Sequence, residues 1–239
     1  MGDPGVTDEA AARTVREERA LSPMRKTIAG RLEQSYREAV HVTLSRSVDA
    51  EALLRAVDDA DETAEGGNPS MVDGLLCALS DALEAHPAFN ATFEDGTHVL
   101  YEEHNVGVAV AIEDGLVTPV LADVGSKSLG ELASERRQLT ERVKAGEYTM
   151  STFRGGTFTV SNLGPLGVDS FDPVINPPEV AILGLGRVTE RATRAEDGVA
   201  FRRRLPLDLS FDHRVVDGAD AARFLGTLTE RLDAADEYV

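Results

Sequence analysis

LPLDLSFDHRVVDGADAARFLGTLTERLD, residues 205–233, changes its periodicity once, and that change points to the fold. Leu205, Leu207, Leu209 and Phe211 alternate with polar residues, as in a strand with one face in an apolar core. Ala222, Leu225, Leu228 and Leu232 then recur at helical spacing. Between the two lies Asp212-His213, with Asp217 and Gly218 four and five residues after the histidine, where the helix starts. A histidine ending a strand sits on a rigid element yet faces outward, which suits a base that must meet a substrate. The same position suits a purely structural turn. Asp217 can anchor that turn, and Gly218 permits backbone conformations that other residues resist.

Upstream, 156–164 reads GTFTVSNLG: GGTFTV (155–160) is a strand, and Ser161 opens a Gly- and Pro-rich loop that lasts to Glu179. The Ser161 hydroxyl is either an oxyanion donor or an ordinary turn residue. VAILGLGRV (180–188) is another strand. Neither glycine cluster has the spacing of a phosphate-cradling or dinucleotide-binding loop. A Ser161/His213/Asp217 hydrolase triad is conceivable, but no G-x-S-x-G elbow presents the serine.

The first half supplies helices and shorter strands. Ser22-Pro23 caps a helix with Met24, Ile28 and Leu32 on one face. VHVTLSR (40–46) alternates as a half-buried strand, with His41, Thr43 and Ser45 on its polar side. Asp49 caps a helix bearing Leu53, Ala56 and Val57; residues 61–70 form a polar loop; Ser70 opens a helix from Met71 to Leu83 that His86-Pro87 ends. NVGVAVAI (105–112) predicts one buried strand, and LVTPVL (116–121) another, at an edge or bulge because of Pro119. Ser128-x-x-Glu131 is a capping box ahead of a long helix. Helices and strands interleave irregularly, which predicts an α+β fold, a mixed sheet with helices packed on it in two layers. Residues 1–20 read as a polar lead and 21–239 as a single domain.

Composition narrows the function. Among 239 residues, 24 Lys+Arg face 42 Asp+Glu, a net charge of −18. An acidic surface repels nucleic acid and anionic membranes. No 18-residue apolar run or secretory signal occurs, so the expected compartment is the cytoplasm. A lone Cys77 in an apolar helix reads as a buried inert thiol, and no metal site is expected; His98 and His104 are the weak exception. Three lysines against 21 arginines, with abundant acids, fit either an acidic protein from a GC-rich genome or, the favoured reading, one adapted to concentrated salt, where the Debye length falls to about 3 Å at 1 M. Melting should then be markedly higher in 3 M KCl than in 50 mM NaCl; equal stability would contradict this.

DHRVVDG resembles the signature of the acyltransferase (E2) catalytic domain of 2-oxoacid dehydrogenase complexes. SPMRKTIAGRLEQS (22–35), HVTLSRSVDAEAL (41–53), NVGVAVAIEDGLVTPVLADVGSKSLGEL (105–132), FTVSNLGPLGV (158–168) and NPPEVAILGLGRV (176–188) resemble further blocks of that family in the same order. The resemblance implies a coenzyme A-dependent acyltransferase fold, a homotrimer, and a channel between subunits that coenzyme A and a dihydrolipoyl arm enter from opposite ends. It implies His213 as general base, Ser161 of the neighbouring chain as oxyanion donor, and Asp217 as a structural residue, held by an unassigned arginine. Gly218 and Asn162 are implied as structural residues at the site; coenzyme A contacts are not implied. Acyl transfer between dihydrolipoyl groups and coenzyme A is the leading function. A coenzyme A-dependent acetyltransferase with another acceptor and a non-catalytic scaffold are the alternatives.

Departures from the family pattern shape the remaining expectations. Nothing resembles a lipoyl or subunit-binding domain, so the lipoyl group would come from a separate carrier, with E1 and E3 as further partners. Val40 stands where the family commonly has proline. LDAADEYV (232–239) is mostly charged where the family tends to be apolar, which predicts an isolated trimer. Ser161-Asn162-Leu163-Gly164, in place of a Thr-Asn-Gly-Gly common among succinyl-transferring members, favours acetyl or branched-chain groups.

Overall fold

A computed structural model describes residues 13–63, 68–113, 115–195 and 198–239. In chain order the elements are α1 (Pro23–Glu38), β1 (His41–Asp49), α2 (Glu51–Thr63), α3 (Met71–Ala85), β2 (Ala91–Glu94), β3 (Thr97–Leu100), β4 (Val106–Val108), β5 (Val110–Ile112), β6 (Gly115–Val117), β7 (Val120–Leu121), α4 (Leu129–Lys144), β8 (Phe158–Asn162), β9 (Ala181–Leu185), β10 (Thr189–Ala195), β11 (Gly198–Asp212) and α5 (Gly218–Asp233). The main sheet runs β1-β11-β9-β8-β4-β7, with β10 paired to the first half of β11. β4, β8 and β9 are mutually parallel and the other pairings antiparallel, so the sheet is mixed.

One sheet face carries the helices. Leu205, Leu207, Leu209 and Phe211 of β11 are fully buried, as are Phe224, Leu225, Leu228 and Leu232 of α5. Phe224 stacks on Phe89 at 4.7 Å and lies 5.9 Å from Phe158 of β8, so α5 packs beneath the middle of the sheet. α3 supplies Leu75, Leu76, Leu79 and Leu83, all at 0% exposure. Ser70 and Asp73 form a capping box at its start, and Arg136 of α4 pairs with the buried Asp73 at 2.5 Å.

The other face is polar and is also covered. Asp208, Ser210 and Asp212 on β11, and Thr159 and Ser161 on β8, are all buried. Their partners come from β1 and from the 163–179 segment: Ser210 with Thr43 at 2.8 Å, Asp208 with Ser45 and Ser170, Thr159 with Glu179. Burying this many polar groups is tolerable because all of these but Ser161, which borders a cavity, find a partner.

Several expectations are corrected. NVGVAVAI is two strands, because at Ala109 the chain leaves the main ladder and β5 pairs with β6 in a separate ribbon. β8 begins at Phe158 and runs through Ser161 and Asn162, which therefore lie on the strand and not in the loop. β11 starts at Gly198, seven residues before Leu205. α2 continues into the expected 61–70 loop as far as Thr63; residues 64–67 lie outside the described residues. The apolar stripe of α1 does not enter the core. Met24 and Ile28 are half-buried and Leu32 is 45% exposed.

Candidate active site

His213 follows the last residue of β11, and its position is set by the backbone. Its N–H donates to Val40 O at 2.9 Å, continuing the β1–β11 ladder by one bond. Val215 N and Val216 N then donate to Asp212 O, closing the turn, and Val216 anchors it in the core. The Asp212 carboxylate accepts from Val40 N, Arg214 N and the Arg214 guanidinium, the last at 2.5–3.0 Å. Burial pushes the Asp212 carboxyl up, but Arg214 and these N–H groups outweigh it and hold it below its usual range. Arg214 in turn lies 4.8 Å over the Phe93 ring. The His213 ring is left exposed, tilted against Phe211 at 5.8 Å.

Asp217 makes no salt bridge to an arginine among the described residues. It is the N-cap of α5, accepting from Ala219 N at 2.8 Å and Asp220 N at 3.1 Å. The backbone N–H groups of Asp220 and Ala219 hold its carboxyl below the usual range. The arginine of the motif, Arg214, pairs with Asp212 instead. Gly218 is the first helical residue and is not among the positive-φ glycines, and no atom crowds its missing Cβ. The reading of Gly218 as needed for an unusual backbone is therefore overturned.

Ser161 stands two strands away, between Val108–Val160 pairing on one side and Gly184 on the other. It borders a cavity of about 160 Å³ roofed by Met24, Ile28 and Leu32 of α1 and walled by Phe153, Val174 and Ile182. The α1 stripe thus covers this cavity. No hydrogen bond to the Ser161 hydroxyl occurs among the described residues, so it is free to donate into the cavity. Asn162 Oδ1 accepts from Gly164 N at 2.9 Å and turns the chain out of β8. Arg31 ties α1 to the far wall through Pro177 O at 2.7 Å.

The register measures how far Ser161 is from His213. Ser161 pairs with Gly184 and Gly184 with Asp208, so Ser161 is level with Asp208, whereas His213 is five residues further along. At about 3.3 Å per residue and 4.8 Å per strand, the two are roughly 15–20 Å apart in one chain. A Ser161/His213/Asp217 triad within one chain is therefore not formed.

Other titratable groups have ordinary partners. His41 Nε2 accepts from Ile175 N at 3.3 Å, which leaves Nδ1–H to donate to Ala39 O. His104 bonds Ser80, His98 bonds Ala88 O and His86 bonds Thr227. No group of three potential metal ligands occurs among the described residues. Burial pushes the Cys77 thiol up to about 12, as an inert thiol requires. Sequence reasoning missed Glu179, whose only signal was a carboxylate beside the apolar run 180–185. Burial raises its carboxyl to about 7 although Thr159 and Asn176 donate to it.

Glu179 carries a stability prediction. Below pH 4.5 its carboxyl is protonated in both folded and unfolded chains and costs nothing extra. Between 4.5 and about 7 the unfolded chain ionises first, so stability falls by about 3 kcal/mol and then levels off. Glu179→Gln keeps both hydrogen bonds if the Thr159 hydroxyl turns to accept. It should melt higher than wild type at pH 8 and match it at pH 4.5; an unchanged difference across that range would contradict the assignment.

The sequence profile of the 2-oxoacid dehydrogenases acyltransferase (catalytic domain) family matches residues 14–239, and the chain belongs to that family. It is 36% identical over 215 residues to the dihydrolipoyllysine-residue acetyltransferase component of the pyruvate dehydrogenase complex of Zymomonas mobilis, covering 89% of this chain and 49% of that protein. The chain thus spans about half the length of the curated relative. Two solved structures, Azotobacter vinelandii dihydrolipoamide acetyltransferase and the cubic core of the pyruvate dehydrogenase multienzyme complex, each superpose with a TM-score of 0.88. Each shows 32% identity and coverage of 97% of this chain and 96% of the other.

Proposed function

We propose that this domain transfers an acyl group between coenzyme A and a dihydrolipoyl group, at a site shared by two copies of the chain. The observation that carries this is the separation of Ser161 and His213. Each is rigidly placed and uncommitted, one in a cavity wall and one on the surface, too far apart to act together in one chain. Histidine, serine and asparagine are the residues whose catalytic role was investigated in the Azotobacter enzyme. There the serine and histidine are 52 residues apart and the asparagine four further on, the spacing of Ser161, His213 and Asp217.

In this reading the His213 imidazole takes the proton of the attacking thiol, and the sulfur adds to the thioester carbonyl. The oxyanion of the tetrahedral intermediate accepts from the Ser161 hydroxyl of the adjoining chain. Collapse expels the other sulfur, which recovers the proton from imidazolium. Asp217 and the Asp212–Arg214 pair hold the turn. Ser161 of one copy facing His213 of the next is a head-to-tail contact, which must close into a ring. We take that ring as a homotrimer in the cytoplasm, served by dihydrolipoyl groups and by E1 and E3 partners.

The cavity beside Ser161 is apolar, and its one cation among the described residues, Arg31, is engaged with Pro177 O and Asn176. That favours an acetyl or branched-chain group over succinyl. Acetyl-CoA and dihydrolipoamide in molar KCl should form the thioester; turnover only with a hydroxyl or amine acceptor would contradict the lipoyl assignment. Residues at the C-terminal end of α5 fold onto their own chain: Ala235 is buried, and Tyr238 donates to Asp81 at 2.8 Å. Light scattering should accordingly give a trimer mass, and a particle of many trimers would contradict this.

A further inference from the structure

Glu179 takes no part in the proton transfers, yet it is buried and bonded through both carboxyl oxygens. Oε2 accepts from the Thr159 hydroxyl at 2.5 Å and Oε1 from Asn176 Nδ2 at 2.8 Å. A Cβ on Gly156 would stand 2.8 Å from Oε1, so the carboxyl packs directly on that backbone. Both bonding partners belong to the surroundings of Ser161. Thr159 lies two residues before Ser161 on β8, so the two side chains share a strand face about 7 Å apart. Asn176 and Pro177 line the Ser161 cavity. Glu179 N donates to Asn176 O at 2.9 Å while Asn176 Nδ2 returns a bond to the carboxyl, so the two residues close the 176–179 turn reciprocally.

The roof of the cavity hangs on that turn. Ser35 is the buried residue of α1, and the rest of the helix is half-buried or exposed. Arg31 donates to Pro177 O at 2.7 Å and faces Asn176 Oδ1 at 3.5 Å, and Ser35 donates to Ile175 O at 2.6 Å. A helix held over a cavity by a few polar ties belongs to the part of a fold that opens first. Its acceptor Pro177 O sits inside the turn that the Glu179 carboxyl closes, and the other oxygen of the same carboxyl is fixed to the strand that carries Ser161.

We propose that Glu179 is a positioning residue for acyl transfer: by joining Thr159 to the 176–179 turn, it clamps the Ser161 strand to the α1 roof. Its service to this reaction rests on the acyl-transfer reading; the clamp itself does not. The test is hydrogen exchange of the α1 amides together with steady-state acyl transfer, both at pH 8, on wild type, Glu179→Ala, Asn176→Ala and Glu179→Gln. Asn176→Ala cuts the same link at a half-buried position, and decides the matter if Glu179→Ala does not fold. In the alanine variants α1 should exchange about tenfold faster, as for one hydrogen bond lost from a local opening, while β11 and α5 stay protected. The kcat should fall by about tenfold or more, and in a Ser161→Ala background the same change should cost little further. Glu179→Gln keeps both hydrogen bonds and should restore exchange and kcat to within about threefold of wild type. Unchanged α1 exchange, or faster exchange throughout the chain, overturns the clamp. Glutamine behaving like alanine overturns its hydrogen-bonded basis. Faster α1 exchange with wild-type kcat, or an equal loss with and without Ser161, overturns the positioning role. An α1 loosened by alanine and restored by glutamine, in a protein that acylates no dihydrolipoamide, supports the clamp and refutes the acceptor.

Discussion

His213→Ala should lower acyl transfer from acetyl-CoA to dihydrolipoamide by about 10²–10⁴-fold, the usual contribution of a positioned general base. The fold should hardly notice. The ring is exposed and its aromatic neighbour among the described residues is Phe211, while the bond that places the residue, His213 N to Val40 O, uses the backbone. Surface truncations of this kind usually change stability by less than about 0.5 kcal/mol. An unchanged melting temperature with lost turnover is therefore the expected pair of results. Retained turnover would remove the imidazole from the mechanism. Thiol acceptors supplied already ionised, at high pH, should recover part of the loss, because the missing step is proton removal.

Ser161→Ala should lower kcat by about 10²–10³-fold with little change in KM. The oxyanion exists only in the tetrahedral intermediate, so a donor aimed at it stabilises the transition state and not the bound substrate. The hydroxyl bonds no protein group among the described residues, so its removal leaves no buried polar atom unpaired. A loss seen mainly in KM would instead make Ser161 a substrate contact. Ser161→Thr, which keeps the hydroxyl but adds a methyl group beside Gly184, tests the geometry of the same site.

How far the sequence could be read depended on where hydrophobic contrast was available. The β11–α5 junction was legible because Leu205 to Phe211 and Ala222 to Leu232 switch period within a few residues. The first half of β11 was not, because Phe201 and Val199 stand exposed among arginines and neither face is apolar. The β2–β3 hairpin was missed despite Asp95-Gly96, whose positive φ angles of 49° and 75° make the tight turn. Its strands are four residues long, and β3 buries no residue. The break at Ala109 was invisible because β4 and β5 are equally apolar.

The candidate site was proposed from residue types and spacing, through the family resemblance. Its supports were not. Asp212–Arg214, Glu179 and the Asp208 pin on the 170–171 segment are polar groups on an apparently solvent-facing side. Alternation assigns such residues to water; here the 163–179 segment and β1 cover them. Asp217 was placed correctly at the helix start, but its partners are backbone N–H groups, which no side-chain pattern records.

The central claim is that one site takes His213 from one chain and Ser161 from the next. Co-expressing His213→Ala and Ser161→Ala chains with different tags, and purifying the mixed assembly, tests it directly. In a closed head-to-tail trimer every mixed ring has one interface in three that joins an intact histidine to an intact serine, so the purified mixed assembly should return to roughly a third of wild-type activity. A mixed assembly no more active than its inactive parents would contradict the account.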